Sequence, residues 1–188
     1  MEVLNLAVRY FHLGFSHVIP LGFDHILFIL SIFLLNSNLK SVIIQCSVFT
    51  LAHSLTLGLA AAGYIMPEPA VIEPLIALSI LFTSIENIFH QKVNAWRLVI
   101  IFLFGLVHGM GFAGALKEIG LPPQHFITSL LCFNLGVEAG QVTIILLAWF
   151  LLARWFANKS WYRNKLVYPA SSIIACIALY WTIERLFF

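Results

Sequence analysis

Charge is what this chain has least of. Of 188 residues, 10% are Asp, Glu, Lys or Arg and 61% are hydrophobic, and the mean hydropathy is +0.98. A soluble domain carries about 25% charged residues, so the deficit excludes a soluble fold. Alternation over segments of about ten residues, the mark of a transmembrane barrel, is missing too; the apolar runs are long and unbroken. Loop cysteines are absent: Cys46, Cys132 and Cys176 all lie inside apolar runs. There they pack as small hydrophobes and give no disulfide framework. The first apolar run holds Asp24 and His25, which does not fit a removable signal peptide. The net charge of +2 is spread over loops and leaves no nucleic-acid footprint. Neither GxxxxGK[ST] nor HExxH occurs, so no phosphate loop or zinc-protease helix is written in the chain.

What remains is an all-α polytopic membrane helix bundle, a single integral membrane domain over residues 1–188. At about 20 residues per span the length allows about six transmembrane helices. The apolar runs place them at about 21–35, 41–63, 70–89, 97–116, 125–153 and 166–187. Val3, Leu4, Ala7, Val8 and Phe11 recur at helical spacing and predict a short N-terminal interfacial helix. Pro20 and Gly22 interrupt the backbone just before the first span. Broken backbone at membrane depth is tolerated where it lines a cavity or is buried in protein. Lys40, Lys92, Arg97, Arg154, Lys159, Arg163 and Lys165 gather on one side, against Arg9, Lys117 and Arg185 on the other. The positive-inside rule then puts the N-terminus outside. A faint repeat pairs Phe49-Thr-Leu-Ala-His53 with Phe104-Gly-Leu-Val-His108, with Pro67 falling on Pro122. The sequence leaves the oligomeric state open.

The few ionisable residues in the spans carry the functional question. A charge at bilayer centre costs roughly 2.5–3.5 kcal/mol on insertion scales, so such groups face a protein interior or a wet cavity. Asp24 and His25 lie at the mouth of the first span, with His17 upstream. His53 is mid-helix, on one face with Thr50 and Ser54. His108 lies inside a GxxxG pair, Gly105 and Gly109, and Glu138 inside another, Gly136 and Gly140. Such pairs let helix backbones approach closely. Asn134, Glu138 and Gln141 form one polar stripe; Ser79, Thr83, Glu86, Asn87 and His90 form another. Depth separates these groups into a main site of His17, Asp24, His25, His53, His108 and Glu138 and an inner station of Glu86 and Asn87. Glu86 falls about 10 Å deeper at 1.5 Å of rise per residue. Ser54, Asn134 and Gln141 are supporting polar groups. Taken singly, each has a plainer reading as interhelical glue. Together, imidazoles and carboxylates suit a divalent ion such as nickel, cobalt or zinc; a proton relay uses the same residue types.

The motifs also resemble those of the HupE/UreJ family of bacterial membrane proteins. The stretches are Gly14-Phe-Ser-His17 through Gly22-Phe-Asp-His25-Ile-Leu-Phe28, Phe49 to Leu57, Glu73 to Ile80, Glu86-Asn87, His108 to Ala113 and Phe133 to Gln141. The resemblance implies a secondary transporter of nickel or cobalt, with the ion as substrate and the bilayer as surroundings. Six residues separate His17 from Asp24, one or two more than in nickel permeases with a similar pairing. Three readings follow: a divalent-metal permease, an intramembrane hydrolase that holds zinc with the same cluster, and a non-transporting scaffold. The first is expected, which makes an enzyme the less favoured reading.

Overall fold

The computed structural model describes residues 2–66, 68–90, 93–94, 96–112, 114, 116 and 120–188. Lys92 and Lys117 of the orientation count, Pro67 of the repeat and Ala113 of the family motif lie outside the described residues. Among the described residues the chain is helical, with no strand. The helices are α1 (Glu2–Val18), α2 (Phe23–Leu35), α3 (Leu39–Ala61), α4 (Pro69–Phe89), α5 (Arg97–Gly111), α6 (Phe126–Ala148) and α7 (Tyr168–Phe187). A π turn at Trp149–Ala153 extends α6 to Phe156, and another at Arg163–Val167 leads into α7. Four helices are each long and apolar enough to cross a membrane; α1 and α2, bent by 68° at their break, pass as a fifth together. At 15 residues α5 is shorter than the predicted 97–116 helix.

Helix α2 is the centre of the bundle. Its residues Phe28, Ile29, Ile32, Phe33, Leu34 and Leu35 are all buried, and α3, α4, α6 and α7 pack around it. The outer helices pair as α1 with α6, α3 with α5, and α4 with α7. Small residues set two of these pairings. A Cβ on Gly105 would stand 2.5 Å from the Phe49 carbonyl oxygen, and one on Gly109 would stand 2.2 Å from that of His53. So α3 and α5, the repeat-bearing helices, lie parallel with backbones touching. On the other side Gly14 meets the Phe133 carbonyl and Gly136 that of Phe11. The N-terminal helix expected at the interface therefore runs against α6. Its last residue, Val18, meets Gly140 in the middle of the span Pro123–Phe156. The break between α1 and α2 thus begins beside mid-span, with Leu21 and Phe23 exposed, and position 22 takes only glycine. A Cβ on Gly22 would lie 2.2 Å from the His17 carbonyl.

Candidate metal centre

The chain break delivers two histidines to one place. His17 lies in the last turn of α1 and His25 in the first turn of α2, with ring centroids 4.6 Å apart. Helix α3 adds His53, whose ring is 6.0 Å from His17 and 5.9 Å from His25. One ring nitrogen from each of the three lies within 4.8 Å of the others. A tetrahedral site with metal–nitrogen bonds of about 2.0–2.1 Å spaces its nitrogens about 3.4 Å apart.

Nε2 of His17, His25 and His53 and Nδ1 of His108 are buried and have no hydrogen-bond partner among the described residues. Leaving a buried polar atom unpaired costs about 1–3 kcal/mol, so several at one point fit a ligand set better than a packing role. The hydrogen-bond network also assigns the tautomers. Asn134 donates its amide to the Leu130 carbonyl at 2.8 Å, which turns Oδ1 towards His53 Nδ1 at 3.4 Å. Nδ1 is then the donor, and Nε2 keeps its lone pair for the cluster. Ser79 gives its proton to the Ile76 carbonyl at 2.7 Å. Its oxygen therefore accepts from His108 Nε2 at 2.8 Å, which leaves the lone pair on Nδ1. His108 is a fourth imidazole, its ring 5.3 Å from that of His25. A second atom that fixes each ligand's ring and tautomer is the usual company of a metal site.

A cavity of about 650 Å³ opens onto this group. Its walls include His17, Asp24, His25, Glu73, His108 and Arg185. On the other side of the histidines Phe28 and Phe49 are buried, 4.9 Å apart. Both pack against His108, at 5.1 and 5.0 Å. Phe112 covers His17 at 3.9 Å. The site is thus wet on one side and sealed by aromatic rings on the other.

The structure does not gather all the expected residues. Asp24 shares the cavity, but its carboxylate accepts from Arg185 at 3.2 Å. Glu138 stands apart: it accepts from Ser47 at 2.6 Å, six residues from His53, or roughly 9 Å of helix rise. Gln141 accepts from Thr50 at 3.2 Å, and the Ser54 hydroxyl donates to the Thr50 carbonyl in its own helix at 2.6 Å. Ser47–Glu138, Thr50–Gln141 and His53–Asn134 together make a polar ladder between α3 and α6. The expected inner station is also occupied by protein partners. Glu86 pairs with Arg97, which is 1% exposed and donates from Nε to Gln45 at 2.8 Å. Asn87 donates to the Ser31 carbonyl and to Ser171. Here Glu86 and Asn87 tie helices together. Sequence reasoning missed Glu73 and Arg185 as cavity residues. Both lie near helix ends, where a charge reads as a headgroup contact.

The fold and site define a multi-helix membrane protein with a buried imidazole cluster, reached from one side through a charged cavity. A family model described as HupE / UreJ protein matches residues 2–185, and the chain belongs to that family. Comparison with the curated proteins and with the solved structures returns no match.

Proposed function

We propose that this protein is a secondary permease for a divalent transition metal, nickel or cobalt, in a bacterial inner membrane with its N-terminus outside. One observation carries the reading: three imidazole nitrogens, from α1, α2 and α3, lie within 4.8 Å of one another, and two of the rings, His17 and His25, line an open cavity. Neutral imidazole is a ligand for nickel, cobalt and zinc, whereas the harder magnesium and calcium take oxygen. The HupE/UreJ family is associated with nickel and cobalt transport, which favours those two ions. In this reading the ion sheds water onto His17, His25 and His53, with His108 adjoining. The Phe28–Phe49 pair holds the inner side closed until the bundle rearranges. Lys40, Arg154, Lys159, Arg163 and Lys165 mark the cytoplasmic end. A gradient or proton exchange drives the cycle.

Uptake of radioactive nickel or cobalt into proteoliposomes tests this. The protein accumulates the ion, and His53→Ala slows uptake by at least about tenfold, since even partners of a metal ligand carry effects of 10–100-fold. Equal rates for both proteins, or no uptake by either, contradict the proposal. Glu73 supports the second reading, an intramembrane hydrolase, because it is a carboxylate in the same cavity and a zinc-bound water needs a base. In that case the ion binds tightly and stays on the side where it was added.

A further inference from the structure

The cavity contains a cation of its own. Arg185, near the end of α7, donates from Nη2 to both oxygens of Asp24 at 3.2 Å. Its Nη1 donates to the backbone carbonyl of Glu73, also at 3.2 Å, and its guanidinium lies 5.3 Å from the Trp181 ring. Asp24, Glu73, Trp181 and Arg185 line the cavity that ends at His17 and His25. An ion on its way to the histidines therefore passes a carboxylate that is already neutralised.

We infer that Arg185 is a tethered counter-cation which an arriving divalent ion displaces from Asp24, so that this residue sets the discrimination between divalent and monovalent ions. The inference rests on the transport reading above. Three features of the pair suit exchange. Both contacts come from one nitrogen, not from the two-nitrogen fork that makes an arginine–carboxylate pair strong and geometrically specific. The side chains of Arg185 and Asp24 are 20% and 26% exposed, so the released guanidinium passes to water and is not stranded in a low dielectric. The Glu73 carbonyl and the Trp181 face also hold Arg185 at the wall, so its release from Asp24 need not open the bundle. The charge balance gives the selectivity. A monovalent ion that replaces the guanidinium gains nothing in charge and loses hydration. A divalent ion leaves one additional positive charge to act on Asp24 and Glu73 together.

The test is calorimetric. Binding of Ni²⁺ and Co²⁺ to the full-length protein in detergent is measured for wild type, Arg185→Gln, Asp24→Asn and the double variant, with and without added Na⁺. Arg185→Gln tightens binding by about tenfold, within the 5–150-fold span of ordinary coupling between sites. It also makes binding more sensitive to Na⁺. In the Asp24→Asn background the same change shifts affinity by less than about threefold. Arg185→Lys, which keeps a cation on Asp24, gives a smaller tightening and serves if the glutamine variant fails to accumulate. A damaged fold weakens binding and does not tighten it, so tightening separates the two causes. Unchanged or weaker binding in Arg185→Gln and Arg185→Lys, or an equal shift in both backgrounds, overturns the inference while leaving the permease reading intact. Absence of divalent binding in the wild type removes both.

Discussion

Replacing His25 by alanine lowers the affinity for nickel or cobalt by at least about 100-fold while the bundle stays folded. His25 is the central ring of the group, within 6 Å of His17, His53 and His108 by centroid distance. Its removal breaks the three-nitrogen set. Outer partners of metal ligands carry effects of about 10–100-fold, so a ligand at the centre carries at least the top of that range. The fold tolerates the change because His25 Nε2 has no partner among the described residues to lose and the ring borders the cavity. Equilibrium dialysis against the metal, beside size-exclusion chromatography of the same sample, reads both quantities. Wild-type affinity in a folded His25→Ala protein removes His25 from the ligand set. Binding also weakens in acid, since a proton and a metal compete for the same lone pair.

The second large effect is on stability. Arg97→Met lowers it by about 3–5 kcal/mol, because breaking a buried pair strands the remaining charge. Arg97 joins three helices: it extends from α5 to Glu86 on α4 and to Gln45 on α3. With methionine at position 97, the Glu86 carboxylate is left with 12% of its side chain exposed and no cation. The double variant Glu86→Gln with Arg97→Met recovers most of the loss, since removal of both charges is often neutral. Thermal unfolding in detergent orders the proteins as wild type, double variant, Arg97→Met. If the single variant matches wild type, the pair does not hold α3, α4 and α5 together.

These two residues also mark how far the sequence could be read. Composition alone gave the membrane bundle, and the break at Pro20 and Gly22 pointed to irregular backbone at depth. His25, His53 and His108 fall in one depth band by counting residues, and the structure brings their rings together with His17. Counting residues sets depth only coarsely, which is why Glu138 joined the same band. Its carboxylate accepts from Ser47, about 9 Å of helix rise from His53 along the same polar ladder. Arg97 looked like a loop cation for orienting the chain; its burial comes from a partner across the α4–α5 connection, which no local pattern encodes. Glu73 and Arg185 were hidden for a related reason. They are far apart in sequence, and only the pairing of α4 with α7 puts them at one cavity wall.

The most direct measurement is X-ray absorption at the nickel or cobalt edge of the metal-loaded protein, with crystals giving anomalous scattering from the same ion. The account predicts one ion between α1, α2 and α3, with at least three imidazole nitrogens at about 2.0–2.1 Å. An ion held by oxygen alone, or by residues other than His17, His25 and His53, contradicts it.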